Sequence, residues 1–194
     1  MSTRLPAPER RRQLLDVALT VFAARGYHAT SMNDVAEAAG VTKPVLYQHF
    51  RSKRALYLEL LEDVGGRLQD AIGKATATAD GPRGQVHSGF RAYFDFVASQ
   101  QPAFHLLFGG GARRDEEFAD AVRKVEVSIA EAIAQLIVVE GLDDDRRLLL
   151  AHGIVGLAEG TSRHWLANGM VGNADELAAQ VSVLAWAGLR GVEG

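Results

Sequence analysis

Hydrophobic residues recur at helical spacing along most of this chain of 194 residues. The first such stripe begins near residue 9 and ends at Gly26, a residue that favours helix termination. The alternation of apolar and polar residues that is typical of strands does not persist over any stretch. We therefore expect an all-α protein of about nine helices. The first stripe consists of Leu14, Leu15, Ala18, Val21 and Phe22.

Residues 31–54, SMNDVAEAAGVTKPVLYQHFRSKR, predict two short helices joined by a tight turn, followed by the start of a third. Ser31 precedes an aspartate by three positions, which is the spacing of a capping box. Gly40 suits the position after a helix end, where φ is often positive. Thr42 is placed to cap the next helix, and Pro44 lies in its first turn, where no N–H is needed. This pattern indicates a helix-turn-helix.

The second helix of this unit carries polar and aromatic side chains on the face opposite its apolar residues. In a helix-turn-helix, that helix enters the major groove of DNA and its first residues reach base edges. Lys43 can donate to guanine and Gln48 can pair with adenine, whereas donors to phosphate only position the protein. Lys53 lies in the first turn of the third helix, where a nearby phosphate would offset its unfavourable interaction with the helix dipole. The residues predicted to contact DNA are Ser31, Thr42, Lys43, Pro44, Val45, Tyr47, Gln48, His49 and Lys53.

These motifs closely resemble the N-terminal DNA-binding domain of the TetR family of bacterial transcriptional repressors. The resemblance extends over about residues 12–58 and is carried by GYHAT, GVTKPVLYQHF and SKRAL. It implies a dimeric repressor whose C-terminal domain binds a small inducer. A second resemblance, in KPVLYQHF, RHWL and WAGL, is to an actinobacterial branch that includes regulators of fatty-acid synthesis responding to long-chain acyl-CoA. That branch implies that Arg163 faces an anionic head group while phenylalanines hold an acyl chain.

Charge is distributed unevenly along the chain, whose net charge is −3. Residues 1–54 contain nine lysines and arginines and four acidic residues, a net charge of +5, so residues 55–194 carry −8. A basic patch supplies most of the non-specific affinity for DNA, although charge also fluctuates along chains by chance. We expect a DNA-binding domain at residues 1–54, with an arm at 1–8, and a helical effector-binding and dimerisation domain at 55–194.

The last two predicted helices, at about 143–168 and 174–190, are apolar on more than one side. Such helices are covered from more than one direction. The core of one subunit covers one side, and a second subunit is the natural cover for the other, through a two-fold four-helix bundle. The sequence therefore predicts a homodimer through these helices. The alternative is a thicker core within a single subunit.

Aromatic residues cluster in the middle helices, where a small-molecule pocket would form. Such pockets are mostly apolar and contain a few polar groups. The expected effector is a hydrophobic small molecule. The alternative is ordinary core packing, which aromatic stripes at helical spacing indicate more often. The residues predicted to line the pocket are Phe90, Phe94, Phe104, His105, Phe108, Phe118, Val122, Val125, His152, Val155, Glu159 and Arg163.

Other classes of function lack sequence support. The chain has no cysteine, and its six histidines do not form an H-x-x-x-H pair, so we expect no metal site and no cofactor. No nucleophile or phosphate-loop motif is present, and we expect no enzymatic activity. Without a signal peptide or a spanning apolar stretch, the expectation is a cytoplasmic protein. The competing function is a helical protein that binds or sequesters a small molecule without using its DNA-binding domain.

Overall fold

A computed structural model of the protein describes residues 6–109 and 115–192. This part of the chain contains nine helices and no strand, which confirms the predicted all-α fold. The first five residues of the predicted arm lie outside the described residues. The helices are α1 (Ala7–Ala29), α2 (Met32–Ala38), α3 (Lys43–His49), α4 (Lys53–Ala77), α5 (Gly81–Ser99), α6 (Gln101–Phe108), α7 (Glu116–Ala134), α8 (Asp144–Ala167) and α9 (Ala174–Arg190).

The start of α2 has the predicted capping box. The Oγ of Ser31 accepts a hydrogen bond from the amide of Asp34 at 3.2 Å, and the Asp34 carboxylate accepts from the Ser31 amide at 2.7 Å. Each bond satisfies a backbone or side-chain group that the helix itself cannot pair. After α2, Gly40 has a φ of +63° and reverses the chain into α3. The helix-turn-helix therefore forms from local signals in the sequence.

Two predicted boundaries differ from the structure. The sequence of residues 75–84, ATATADGPRG, predicts a linker, because glycine and proline interrupt helices. In the structure, α4 continues to Ala77 and α5 begins at Gly81. Thr76 remains helical and its hydroxyl donates to the carbonyl oxygen of Ile72 at 3.0 Å. Pro82 lies in the first turn of α5, where its missing N–H removes no bond. Likewise, the apolar stripe from Phe118 to Ile137 predicts a helix that continues to about residue 140, but α7 ends at Ala134.

Packing divides the chain into two compact units. One comprises Met1–Val64 and Pro102–Val122, and the other comprises Gly65–Gln101 and Arg123–Gly194. We name these the first unit and the second unit. The first unit adds α6 and the start of α7 to the residues that were assigned to DNA binding. The functional boundary after residue 54 stays a prediction.

The first unit has its own hydrophobic core. Phe118 of α7 packs into an aromatic cluster with the rings of Tyr27 and Tyr57, at centroid distances of 4.7 and 4.6 Å. Edge-on and tilted ring pairs of this kind add to the stabilisation from burial. The helix-turn-helix thus packs on α1 and α4 through fully buried side chains, which include Leu14, Ala18, Val35, Leu46 and Leu56.

The second unit is built mainly from α5, α8 and α9, with parts of α4 and α7. Phe94 and Val97 of α5 are completely buried in it. Gly65 of α4 allows a close approach to α7, because a Cβ at this position would lie 2.4 Å from Cγ2 of Val125. A second cluster of buried residues at the end of α7 and the start of α8 consists of Ala130, Ala134, Ile137, Leu142 and Ala151.

Candidate DNA interface and effector site

The outward face of α3 has the composition predicted for base recognition. Leu46 is completely buried, whereas Lys43 and Gln48 are exposed. Tyr47 is 43% exposed, which is unusual for a large aromatic side chain. Lys43 and Gln48 make no hydrogen bond to any part of the chain that the structure describes. Their polar groups are therefore available to a ligand on this face.

The remaining predicted DNA contacts lie around this face. Pro44 is exposed, Val45 and His49 are half-buried, and Ser31 is exposed at the start of α2. Thr42 occupies the N-cap position of α3, but its side chain makes no capping hydrogen bond. Thr42 thus occupies the predicted position without the expected capping hydrogen bond, and its side chain is exposed next to Lys43.

Arg11 holds the end of α3 in place. Its Nη1 donates to the carbonyl oxygen of His49 at 2.5 Å, and its Nε donates to the Glu59 carboxylate at 2.9 Å. The guanidinium also lies 4.5 Å from the centre of the Phe50 ring. A cation at the C-terminus of a helix stabilises its unpaired carbonyls. Arg11 therefore orients the recognition helix, α3.

Lys53 has partners that the sequence analysis did not anticipate. Its Nζ donates to the carbonyl oxygens of Tyr27 and Thr30, at 2.9 and 2.8 Å. The same ammonium lies 4.3 Å from the centre of the Tyr27 ring. Carbonyl oxygens at a helix C-terminus attract cations. The end of α1 therefore offsets the unfavourable interaction of Lys53 with the dipole of α4, which the sequence analysis had assigned to a phosphate. A phosphate contact by Lys53 stays a prediction.

Arg54, the next residue, joins α4 to the start of α7 within the first unit. Its two terminal nitrogens donate to the Asp115 carboxylate at 2.9 and 3.1 Å, and its Nε donates to Glu117. Hydrogen bonds from Arg54 are the main reason that the pKa of Asp115 lies below its ordinary value. Bidentate pairs between arginine and carboxylate fix orientation as well as distance. Arg54 therefore stabilises the contact between α4 and the start of α7.

Ion pairing reduces the basic surface that sequence counting suggested. Arg12 pairs with Asp16 and Asp63, and Arg25 pairs with Asp34. Together with Arg11 and Arg54, four of the nine cations in residues 1–54 are held by carboxylates of the first unit. Lys43 and Arg51 are exposed cations on or next to α3. Lys43 and Arg51 therefore remain available to DNA at this helix.

The predicted effector residues fall into both units. Five belong to the first unit, where Phe104 and Phe108 pack at a centroid distance of 5.1 Å and Phe118 belongs to the aromatic cluster described above. The other seven belong to the second unit. The buried members of the whole set are Phe90, Phe94, Phe104, Phe108, Phe118, Val122 and Glu159, while Val125 and Val155 are half-buried.

Three of the four polar residues expected in the pocket lie on the surface. His105, His152 and Arg163 are all exposed. Helical phase explains this, because each turns away from the side of its helix that is buried. Arg163 also pairs with Glu159 one turn earlier, at 2.7 Å, so its charge is not free for an anionic head group. The lining role expected of these three residues is not supported within one subunit.

The structure reveals a buried polar pair that sequence reasoning missed. Tyr93 of α5 is 5% exposed and Ser162 of α8 is fully buried. The Ser162 hydroxyl lies close enough to partly offset the rise in the pKa of Tyr93. Neither hydroxyl oxygen has a hydrogen-bond partner in the part of the chain that the structure describes. The spacing of positions 90, 93, 94 and 97, which form one helical stripe, could have predicted that Tyr93 is buried.

Other kinds of site find no support in the described residues. No group of three or more histidine, aspartate or glutamate side chains lies close enough there to hold a metal ion. None of the helices described is both long and apolar enough to cross a membrane.

Known protein families match both the N-terminal and the C-terminal part of the chain. A family model described as bacterial regulatory proteins, tetR family, matches residues 14–60. A second, described as a tetracyclin repressor-like C-terminal domain, matches residues 82–188. The HTH-type transcriptional activator FasR of Mycolicibacterium smegmatis is 35% identical over 187 residues, which cover 96% of this chain and 85% of FasR.

Solved structures show the same fold. A TetR-like transcriptional regulator from Rhodococcus sp. RHA1 superposes with a TM-score of 0.79 at 30% identity, covering 97% of this chain and 100% of that one. FadR from Bacillus subtilis, solved in complex with stearoyl-CoA, superposes with a TM-score of 0.78. Its identity is 18%, and the match covers 90% of this chain and 96% of FadR. At that identity the likeness concerns the fold alone.

Proposed function

Because this chain belongs to the TetR family of bacterial transcriptional regulators, we propose that it binds a palindromic operator as a dimer and releases it in response to a hydrophobic effector. The observation that carries the DNA-binding part is the exposed face of α3, where Lys43, Tyr47 and Gln48 project together. These side chains suit the donor and acceptor groups of the major groove. Thr42 and the backbone around it would position the helix on phosphates.

A homodimer through α8 and α9 is supported by exposed apolar side chains on those helices. Leu149 is 71% exposed, Val183 58% and Leu184 62%. Large apolar side chains that are exposed on two helices support an interaction site there. Gly153 and Gly156 of α8 have open space where a Cβ would lie, so a second helix could approach closely. Two-fold symmetry would then place two α3 helices in successive major grooves, about 34–36 Å apart.

The effector we propose is a long fatty acyl compound. The aromatic side chains of the second unit supply an apolar environment for such a chain, and the resemblance to regulators of fatty-acid synthesis points to the same class. The stearoyl-CoA complex of FadR shows that one protein of this fold has been solved with an acyl-CoA. An effector changes operator affinity only by binding one state of the protein more tightly than the other.

Repression is the mode of regulation implied by the family resemblance, and it is our first proposal. A dimer lying over a promoter excludes RNA polymerase. Activation is the second candidate, because FasR, which matches 96% of this chain, is named a transcriptional activator. Transcription in vitro from the operator-containing promoter, with and without the protein, distinguishes a loss of transcript from a gain.

Selection of random duplex DNA on the purified protein tests the proposed function. We expect enrichment of a palindrome whose half-sites are separated by about one helical turn. Addition of palmitoyl-CoA should then change the fraction of operator bound. If only salt-sensitive binding without sequence preference appeared, with palmitoyl-CoA still bound, the alternative of a sequestering protein would replace the proposed function.

A further inference from the structure

The hydroxyl groups of Tyr93 and Ser162 are buried in the second unit without a hydrogen-bond partner. Both side chains are more than nine-tenths buried. Neither hydroxyl oxygen is satisfied by the part of the chain that the structure describes. Unpaired buried hydroxyls destabilise a fold, so native proteins retain them mainly where a ligand or a bound water completes the bond. Two such groups facing each other from α5 and α8 therefore point to a bound acceptor.

The surroundings of this hydroxyl pair are aromatic. The ring of Tyr93 packs edge-on against that of Phe94, at a centroid distance of 5.6 Å. Phe94 also contacts Phe90 in a stacked arrangement at 6.0 Å and Trp165 edge-on at 6.4 Å. A few polar groups among mostly apolar side chains are the usual arrangement for orienting a mainly hydrophobic ligand.

The local charge favours a neutral acceptor. Glu159 and Glu126 are the acidic groups that act on Tyr93, and Arg163 is the basic one. Arg163 is already paired with Glu159. Burial, and then the charge of Glu159, raise the pKa of Tyr93, so its hydroxyl remains protonated and can donate. A carboxylate or phosphate buried here would lose its hydration beside a cation, Arg163, that already pairs with Glu159. A carbonyl oxygen carries no net charge and avoids that cost.

We propose that Tyr93 and Ser162 together donate hydrogen bonds to the thioester carbonyl of a fatty acyl effector. The acyl chain then lies against Phe90, Phe94 and Trp165, and the negatively charged phosphates of coenzyme A lie away from Glu159. This inference rests on the proposed function, since it specifies how the acyl effector is recognised. It assigns selectivity to a neutral carbonyl and removes Arg163 from the role of head-group ligand.

A matched pair of ligands tests this assignment. Palmitoyl-CoA contains the carbonyl, and S-hexadecyl-CoA, a thioether of the same chain length, lacks it. We expect the wild-type protein to bind palmitoyl-CoA roughly five- to tenfold more tightly, as measured by calorimetry. In Tyr93→Phe and in Ser162→Ala this preference should fall to about twofold or less, mainly through weaker binding of palmitoyl-CoA.

Ser182→Ala is the matched control, because Ser182 is another buried serine of the second unit whose hydroxyl has partners in His87 and the carbonyl of Ala179. It should retain the wild-type preference. The use of two variants on different helices guards against a folding defect in one of them. Circular dichroism and thermal unfolding of each variant verify that the comparison is made on folded protein.

Two results would overturn the inference while leaving an acyl effector in place. One is equal affinity of the wild type for the thioester and the thioether. The other is an unchanged preference in both variants, with altered thermal stability, which would identify the pair as a hydrated structural feature. If neither ligand bound a protein that still selected its operator, the acyl effector of the proposed function would fail together with this inference.

Discussion

The ammonium group of Lys53 lies above the ring of Tyr27, 4.3 Å from its centre, and donates to the main-chain carbonyl of the same residue at 2.9 Å. This contact joins the start of α4 to the end of α1, immediately before the helix-turn-helix begins. Lys53 therefore stabilises the packing of these two helices, although the sequence analysis assigned it to phosphate binding.

Replacement of Lys53 by alanine should destabilise the protein. The loss of two hydrogen bonds from a charged donor and of the ring contact should lower the free energy of unfolding by about 1–3 kcal/mol. Urea denaturation measures this. Arg51→Ala removes an equal charge from an exposed neighbouring side chain and should change stability by less than about 0.5 kcal/mol. Unchanged stability in Lys53→Ala, with the salt slope of DNA binding lowered by about one, would instead restore the phosphate contact.

Alanine at Lys43 or Gln48 should weaken binding to the selected operator by about 1–3 kcal/mol each. The reason is that these exposed side chains of α3 are placed to bond base edges, so binding to unrelated DNA should fall much less. Gel-shift titrations on both duplexes at one fixed salt concentration measure the two losses. Gln135→Ala, at an exposed glutamine beyond α7, serves as the control. Equal losses on both duplexes would assign Lys43 and Gln48 to phosphate contacts.

Glutamate at Leu184 should dissociate the dimer. A charge buried between two copies of α9 should raise the dimer dissociation constant by roughly a hundredfold, equivalent to about 3 kcal/mol. Sedimentation velocity across micromolar concentrations measures this shift. Val138→Glu introduces the same charge at a side chain that is 89% exposed outside α8 and α9, and should leave the dimer intact. A wild-type protein that sediments as a monomer in this range would contradict the proposed interface.

The pair between Arg54 and Asp115 should contribute to stability only above acidic pH. Its hydrogen bonds hold the pKa of Asp115 below the ordinary value of 3.8, so the folded state favours the ionised carboxylate. This contribution is present above about pH 4 and is lost as the pH falls through the lowered pKa. In urea titrations, Asp115→Asn should therefore be less stable than wild type near pH 7, and the difference should shrink below pH 4.

Asp70→Asn, at an exposed carboxylate on α4, controls for the removal of one acidic side chain. A stability difference for Asp115→Asn that stayed constant from pH 7 to pH 3 would show that the effect does not arise from ionisation of this pair.

The polar and apolar pattern was sufficient to predict the helix-turn-helix. The capping box at Ser31, the positive φ at Gly40 and the burial of Leu46 depend on residues within a few positions of one another. Local backbone and capping preferences therefore determine them. The outward direction of Lys43 and Gln48 follows from the same helical period. The all-α fold was predictable for this reason as well.

Partners that are distant in sequence were decided by tertiary structure. Arg54 could have bonded phosphate, solvent or any acidic residue, and only packing brings it to Asp115, which is 61 positions away. The same holds for Lys53 and the end of α1. Charge counting cannot reveal such pairs, because a sequence records how many carboxylates exist but not which cation each one reaches.

The effector residues show the same division most clearly. Composition correctly indicated buried aromatic side chains such as Phe94, yet it could not show that Arg163 lies on the surface beside Glu159. Nor could it show that the hydroxyl groups of Tyr93 and Ser162, on different helices, are both buried without a hydrogen-bond partner. Helical periodicity determines which side of its own helix a residue occupies. Which side chain faces it from another helix, and whether its hydrogen bonds are completed, depends on how the helices pack.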